Sequence, residues 1–203
     1  MGRNINYFSN RKEKQKDKLI QGIKDIEKFF MQEFNIKLYL VYGTLLGCIR
    51  EKNFIFYDHD VDTAYLSLKN NKNEVLKETQ YIYKVLKKNN MLGKAWTKEK
   101  GAILSKDLKC SEHMIGHAHV WNKKRTACID VFTSWIENDK YYLVRKINGE
   151  FNKNILEPFL LRKLRGKLFR TPNGSIRLLK YWYNNWEEKL EKNYSNCKKV
   201  CKL

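Results

Sequence analysis

Three aspartates lie within five residues in the segment YDHDVD, residues 57–62. If a β-strand begins here, alternation places Asp60 and Asp62 on one face of it. Two like charges on one face repel each other, so such a pair is tolerated either in open water or around a cation. Carboxylate oxygens suit Mg²⁺ or Mn²⁺, which also bind phosphate oxygens. The pattern predicts a metal site that includes Asp58, with a solvated acidic strand edge as the alternative.

A further aspartate, Asp130, lies in the run IDVF, residues 129–132, between apolar residues of a β-prone segment. A carboxylate flanked by core residues needs a partner, because burying it alone is costly. If this strand lies beside that of Asp60 and Asp62, the carboxylates converge on one metal site. We therefore take Asp60, Asp62 and Asp130 as the candidate catalytic residues.

A glycine turn precedes the aspartates, in the segment VYGTLLGCIR, residues 41–50. Gly43 followed by Thr44 at a strand-to-helix turn lets the backbone approach a ligand, and N–H groups at a helix start can hold a phosphate. The alternative is purely structural, since Gly-Thr pairs begin helices in many proteins. With the carboxylates nearby, the segment favours a phosphate-binding turn.

Elements that position these residues follow from hydrophobic periodicity. Predicted helices cover Asp17 to Phe34, Thr44 to Glu51, Asn73 to Asn90 and Gly174 to Trp186. Predicted strands cover Lys37 to Tyr42, Asp60 to Leu66, Gly101 to Leu108, Met114 to Trp121, Thr126 to Trp135 and Tyr141 to Val144, with a hairpin turn at Asn122 to Arg125 and a basic strand-and-turn region between Pro158 and Pro172. The pattern predicts an α/β (α+β) fold.

Length and composition favour a single domain. The chain has 203 residues, of which 42% are hydrophobic, enough for one sizeable core. We predict a flexible basic lead-in over 1–16, one catalytic domain over 17–190 and a basic tail over 191–203.

The formal charge of +19 favours contact with polyanions, whether nucleic acid, phosphorylated substrates or anionic lipid. An AT-rich genome would give a similar composition. Five cysteines without regular spacing indicate a reducing compartment, and the polar N-terminus is unlike a signal peptide. We expect a cytoplasmic protein, with any membrane contact peripheral.

A cluster of cysteine and histidine raises the question of zinc. Cys110, His113, His117 and His119 lie within ten residues, and Cys128 follows across the predicted hairpin. The spacing lacks the regular pairs of common zinc sites, so ordinary surface or pocket histidines are the favoured interpretation. Cys197 and Cys201, one helical turn apart in the basic tail, are interpreted as a fortuitous pair.

These segments together resemble the LicD/fukutin family of phosphotransferases. YGTLLGCIREKNFIFYDHDVD, residues 42–62, is similar to that family's GTLLGxxR segment and aspartate cluster. IDVF resembles its IDxF segment, and PNGSIRLLKYWYNNW, residues 172–186, resembles its closing element. The resemblance covers about Phe29 to Trp186. Two departures are His59, where many members have aspartate, and Asn184 with Asn185 in place of Gly-Asp.

The resemblance implies a nucleotidyltransferase-like core, a mixed β-sheet flanked by helices, and transfer of a phosphorylated alcohol from a CDP-activated donor to a glycan or glycolipid hydroxyl. It implies Mg²⁺ or Mn²⁺ on Asp58, Asp60 and Asp62, with Asp130 either completing the metal site or accepting the proton of the attacking hydroxyl. The residues expected at the donor are Gly43, Thr44, Gly47, Arg50, Arg177, Lys180 and Tyr181, and Arg170 is a further source of positive charge.

Two other functions remain open at this stage. A true nucleotidyltransferase would share the glycine turn and the carboxylates but release pyrophosphate instead of CMP. A non-catalytic basic module would bind nucleic acid in a salt-sensitive way even after loss of Asp60 and Asp62. No specific nucleic-acid partner is expected for the phosphotransferase.

Overall fold

The computed structural model describes residues 7–95, 116–144, 146–183 and 185–188. Its helices are α1 (Glu13–Phe34), α2 (Tyr42–Arg50), α3 (Lys72–Lys88) and α4 (Ser175–Trp182), with 3₁₀ turns at Phe8–Asn10 and Lys153–Ile155. Its strands are β1 (Leu38–Leu40), β2 (Asp62–Leu66), β3 (Leu92–Ala95), β4 (His117–Trp121), β5 (Cys128–Glu137), β6 (Lys140–Leu143), β7 (Ile147–Asn152), β8 (Leu160–Leu164) and β9 (Lys167–Thr171).

Seven strands form one mixed sheet in the order β1-β2-β5-β4-β3, with β6 paired to β5 and β7 to β6. Strands β2 and β5 are parallel, whereas the other strand pairs are antiparallel. Strand β5 is therefore the centre of the sheet, since it pairs with β2, β4 and β6. Strands β8 and β9 form a separate hairpin that lies against β1 and α2.

Helix positions follow from the local sequence. The apolar residues of α1 recur every three or four positions, and that stripe is buried on β4 and β5. The helix ends where Asn35 adopts a left-handed backbone, as residues after a helix C-terminus often do. Asn71 precedes helix α3, and its side chain accepts a hydrogen bond from the Glu74 N–H and so caps the helix.

The predicted α/β (α+β) class is confirmed, with a mixed sheet flanked by four helices in the described part of the chain. Several boundaries differ by a few residues: α1 begins at Glu13 instead of Asp17, α4 ends at Trp182 instead of Trp186, and β2 begins at Asp62, so that Asp60 precedes the strand. Strands β3 and β7 were not predicted, because glycine and polar residues interrupt their apolar pattern.

Several predictions fall on residues outside the described ranges. These are the strand over Gly101 to Leu108, the basic tail over 191–203, and the side chains of Cys110, His113, Asn184, Cys197 and Cys201. Among the helices that the structure describes, none combines the length and the apolar character needed to cross a membrane.

Candidate active site

A row of three polar side chains crosses the middle of the sheet. Asp62 of β2 is in register with Asp130 of β5, and Asp130 is in register with His119 of β4. Side chains of directly opposed residues on paired strands lie on the same face, so the three point to one side. The parallel pairing of β2 and β5 therefore joins two carboxylates that are far apart in sequence.

The remaining predicted carboxylates join this row from the segment that leads into β2. Ligand oxygens of Asp60, Asp62 and Asp130 all lie within 4.8 Å of one another, and Asp58 and Asp60 form a second such group with His59. Asp58 is buried, whereas the side chain of Asp60 is 41% exposed. The structure thus brings Asp60, Asp62 and Asp130 together, with Asp60 on the open side, and their metal and catalytic roles stay predictions.

The N-terminus of α2 lies against these carboxylates. Tyr42 begins the helix with a left-handed backbone, φ 45°, which is costly for an aromatic residue. Its ring packs between Phe132 and Trp182, and its hydroxyl donates to the Val144 carbonyl at 2.9 Å. These contacts hold Tyr42 in the strained conformation. The turn brings the N–H of Gly43 to the Asp62 carboxylate, to which it donates a hydrogen bond.

Gly43 and Thr44 both act on the carboxylates. A Cβ at Gly43 would lie 2.2 Å from Asp58 Oδ2, so only glycine leaves room for that carboxylate. Thr44 is buried, and its Oγ1 accepts a hydrogen bond from the Asp62 N–H at 2.8 Å. The two residues thus position Asp58 and Asp62. Their expected contact with donor phosphates stays a prediction.

The fold disfavours the deprotonated, negatively charged form of two of the carboxylates. Burial raises the pKa of Asp62 well above its ordinary value, and the charges of Asp60, Asp58 and Asp130 raise it further. Burial likewise raises the pKa of Asp58, and the charge of Asp60 adds to this. Deprotonating both groups therefore costs free energy unless a cation compensates the charge. These electrostatics are compatible with a bound metal ion.

Asp62→Asn is expected to stabilise the metal-free protein at neutral pH. Because the pKa of Asp62 is raised on folding, its stabilising contribution is complete below the unfolded value of about 3.9 and is lost as the pH rises through the folded value. The Asp62→Asn variant has no ionisable carboxyl group at this position, so it does not lose that stability. At pH 7.5 in a chelator we expect a gain of about 1–2 kcal/mol, or a few degrees in Tm.

Thermal melts at pH 4 and pH 7.5 measure this effect. At pH 4 the gain should largely disappear, because Asp62 is protonated in the wild type as well. Saturating Mg²⁺ or Mn²⁺ should reverse the order at pH 7.5, since the variant lacks a ligand. A variant less stable than wild type in the chelator would contradict the electrostatic argument.

Residues 7–11 bind directly to the aspartate segment, although the sequence predicts a flexible lead-in there. Phe8 is buried, its ring stacks on Phe54, and its N–H donates to the Asp58 carbonyl at 2.6 Å. Arg11 Nη2 donates to the His59 carbonyl at 2.6 Å. Burial lowers the pKa of Arg11, and the charges of Asp60 and Asp58 oppose that shift. The segment secures the loop that carries two of the carboxylates.

Arg11→Ala is expected to destabilise the metal-free protein by about 1–2 kcal/mol, because one charged hydrogen bond and one compensating charge are lost. Saturating Mg²⁺ should shrink this deficit, since the ion then compensates the carboxylates. Arg125→Ala is the matched control: Arg125 donates to the Asn90 carbonyl and lies over the Trp121 ring, as Arg11 donates to the His59 carbonyl and lies over the Phe8 ring. In thermal melts its deficit should not depend on Mg²⁺. Equal Mg²⁺ dependence of the two variants would count against a charge role for Arg11.

Two other predicted donor residues on α2 have structural contacts. A Cβ at Gly47 would lie 2.4 Å from the Asn53 carbonyl oxygen, so this glycine permits close backbone packing. Arg50 lies about 10 Å along the helix from Gly43. Its guanidinium bonds the Glu51 carboxylate at 2.7 Å and the Glu188 carbonyl at 2.7 Å. A role of either residue toward the donor stays a prediction.

The predicted donor residues of α4 lie on its exposed side. Arg177 lies over the ring of Phe151, Tyr181 packs edge-on against the same ring, and Lys180 is exposed. Arg170 of β9 forms an ion pair with Glu27 of α1. No described contact joins these four residues to the carboxylates, and their role toward the donor stays a prediction.

The sequence pattern did not predict that the two histidines of β4 lie beside Asp130. His117 Nε2 lies 2.9 Å from Asp130 Oδ2, and His119 Nε2 lies 3.3 Å from Asp130 Oδ1. The two nitrogens and the carboxylate form a further group able to hold a metal ion. The one available signal was the alternate spacing of His117 and His119, which places both on one strand face. Cys128 is not part of this group.

Comparison with known proteins agrees with the site. The family model described as LicD/FKTN/FKRP, nucleotidyltransferase domain, matches residues 35–174, well over half of the chain. The chain belongs to the LicD family. The match includes the glycine turn and all four carboxylates, and LicD membership indicates a transferase with a nucleotidyltransferase-like domain. Among curated proteins, none matches the sequence.

Proposed function

We propose that this LicD protein transfers a phosphorylated alcohol, such as phosphocholine or an alditol phosphate, from a CDP-activated donor to a hydroxyl of a glycan or glycolipid. The observation that carries the proposal is the parallel pairing of β2 and β5, which places Asp62 beside Asp130. Asp58 and Asp60 lie next to them, at the N-terminus of α2. Phosphoryl transfer asks a protein mainly for positioning and for charge compensation, and this arrangement can supply both.

The residues fit a hard divalent cation. Asp58 and Asp62 are buried carboxylates whose pKa values are raised by burial and by neighbouring negative charge, as expected for ligands that await a positive partner. Asp60 is partly exposed and gives access to the site. We assign Mg²⁺ or Mn²⁺ to Asp58, Asp60, Asp62 and Asp130. When bound, the ion neutralises the phosphate oxygens of the donor.

The chain's own groups would prepare the reaction. Thr44 and the Gly43 N–H hold Asp62 in place, and Arg11 with Phe8 hold the Asp58 loop. The positive end of the α2 dipole lies at the carboxylates and favours added negative charge there. In the proposed step the acceptor oxygen bonds to the phosphorus that carries the alcohol. The anhydride bond to CMP breaks, CMP leaves, and the hydroxyl proton passes to solvent.

Calorimetry and product analysis test this proposal. CDP-choline, CDP-ribitol, CDP-glycerol and CTP are titrated into wild type with Mg²⁺, with Mn²⁺ and with chelator. Metal-dependent binding of one CDP-alcohol, with CMP as the product once an acceptor is present, supports the proposal and names the donor. Binding of CTP alone, with pyrophosphate released, would replace it by nucleotidyl transfer. Salt-sensitive binding of nucleic acid that persists in Asp60→Ala, with no donor bound, would favour the basic module.

A peripheral contact with anionic lipid would bring a glycolipid acceptor to the site. The hairpin of β8 and β9 exposes two leucines, Leu161 at 61% and Leu168 at 47%. Both lie on one face, because Leu168 is in register with Lys163, two residues after Leu161. The exposed Lys163 and Lys167 flank them. Apolar side chains among lysines suit the surface of an anionic membrane, and the net charge of +19 favours it.

Leu161→Ser is expected to weaken binding to anionic vesicles by about fivefold, since roughly 1 kcal/mol of apolar transfer free energy is lost. The measurement is sedimentation with vesicles of phosphatidylglycerol and phosphatidylcholine. Leu68→Ser is the matched control, because Leu68 is also 61% exposed but follows β2 and is not part of the hairpin. Equal loss in both variants, or none in either, would contradict the assigned surface.

A further inference from the structure

The two histidines of β4 converge on opposite oxygens of one carboxylate. His117 Nε2 lies 2.9 Å from Asp130 Oδ2, and His119 Nε2 lies 3.3 Å from Asp130 Oδ1. Register explains this geometry, because His119 is directly opposite Asp130 and His117 is two residues away on the same face. The ligand atoms of the three residues lie within 4.8 Å of one another. Both nitrogens thus face Asp130, which also belongs to the carboxylate site described above.

We propose that His117, His119 and Asp130 form a second metal site, specific for a transition-metal ion of the Zn²⁺ class. Imidazole nitrogen suits zinc, cobalt and related ions, whereas Mg²⁺ prefers oxygen ligands. Two histidines and one carboxylate leave coordination positions open, as catalytic zinc sites do. The site therefore differs in ion preference from the carboxylate site next to it.

The surroundings of the histidines are those of a prepared site. His117 is buried, and its ring stacks on Phe132 with centroids 4.2 Å apart and an interplanar angle of 12°. This packing fixes the direction of Nε2. His119 has a side chain that is 37% exposed, so an ion and a ligand can reach the site from solvent. One fixed and one accessible imidazole together give a preorganised site with an open side.

Asp130 belongs to both sites. Its carboxylate forms one group of possible ligands with His117 and His119 and another with Asp60 and Asp62. A carboxylate has two oxygens and can bridge two ions, as in two-metal enzymes whose ions lie about 3.5–4 Å apart. This inference rests on the proposed function only for its catalytic meaning, which follows from the sharing of Asp130 by the two sites.

Cobalt titration tests the site, with Co²⁺ as a visible probe for zinc. Chelator-stripped protein is first saturated with Mg²⁺ to fill the carboxylate site. We expect one further equivalent of Co²⁺ to bind with visible absorption and without the cobalt–thiolate charge-transfer band that cysteine ligands give. His119→Gln should weaken Co²⁺ binding by about 10–100-fold and change Mg²⁺ affinity by less than about threefold.

The matched control is His59→Gln. His59 is also partly exposed and lies close to Asp58 and Asp60, but it is not on β4. Its variant should keep wild-type Co²⁺ affinity. Unchanged Co²⁺ affinity in His119→Gln, or equal weakening in both variants, would overturn the second site and indicate that the histidines only orient Asp130.

His119 is chosen for substitution over the buried His117 so that the variant folds, and a thermal melt checks this. Should His119→Gln melt early, His119→Asn gives a second test of the same prediction. The experiment is independent of the transfer assay, which needs only Mg²⁺ or Mn²⁺, donor and acceptor. A protein that releases CMP but shows no histidine-dependent cobalt site would refute this inference alone. One with the cobalt site but no transfer would refute the proposed function alone.

Discussion

Asp60→Asn is expected to lower kcat/KM for transfer by about 10²–10³-fold or more while the protein stays folded. Asp60 contributes an oxygen within 4.8 Å of those of Asp62 and Asp130. Asp60 would help to hold the ion that compensates transition-state charge, and losing such compensation typically costs this much. The side chain is 41% exposed, so the substitution leaves the core intact. The measurement is the initial rate of CMP release at saturating Mg²⁺, with a thermal melt beside it.

Asp139→Asn provides the control for Asp60. Asp139 is an exposed aspartate in the turn between β5 and β6, where it pairs with Lys153 at 2.8 Å. Its substitution removes the same charge from the protein but should leave the rate within about twofold. Rates that fall equally in both variants would show that net charge is responsible. An Asp60→Asn variant with wild-type turnover would contradict the assignment of the carboxylates to the active site.

Gly43→Ala is expected to abolish most of the metal-dependent activity, by about 10²-fold or more. A Cβ at this position would lie 2.2 Å from Asp58 Oδ2, 3.2 Å from Asp58 Cγ and 3.5 Å from Asp62 Oδ2. One methyl group therefore displaces Asp58 from the site. A misplacement of about 1 Å in a catalytic group can cost this much in rate. Metal affinity, measured by calorimetry with Mn²⁺, should fall with the rate.

Gly22→Ala is the control that distinguishes a steric clash in the carboxylate site from a steric clash elsewhere in the protein. Its Cβ would also meet an atom at 2.2 Å, the Cβ of Ala127, but there the clash is between α1 and the residue that precedes β5. Overpacking of a core typically costs about 1–3 kcal/mol. We expect Gly22→Ala to lower Tm and keep Mn²⁺ affinity. We expect Gly43→Ala to keep Tm and lower Mn²⁺ affinity. The same profile for both variants would remove the specific role of Gly43.

The candidate carboxylates could be predicted from sequence because their signal is local. Three aspartates in five residues are conspicuous, and a single aspartate in the β-prone run IDVF identifies the strand that must join them. Hydrophobic periodicity gave most helices and strands for the same reason. That β2 and β5 pair in parallel, with Asp62 opposite Asp130, could only be assumed, because register depends on contacts distant in sequence.

The histidines of β4 show where local reasoning ends. Their alternate spacing was visible, but spacing alone does not distinguish a ligand pair from two surface residues. Their position opposite Asp130 and Phe132 on the neighbouring strand distinguishes these two cases. Phe8 and Arg11 were missed for a related reason. They belong to a polar, basic stretch without hydrophobic periodicity, so the sequence does not indicate that the Phe8 ring is buried or that the Arg11 guanidinium lies near the carboxylates. Such contacts arise only when the chain folds back on itself.

The register of β5 also determines which changes in chain length the protein can accept during evolution. Inserting or deleting one residue between Cys128 and Asp130 would turn the carboxylate to the opposite face of the sheet, because side chains alternate along a strand. The turn at Asn138 and Asp139, where both residues have positive φ, lies beyond the functional row. Homologous sequences should therefore vary in length at this turn and keep constant length from His117 to Phe132.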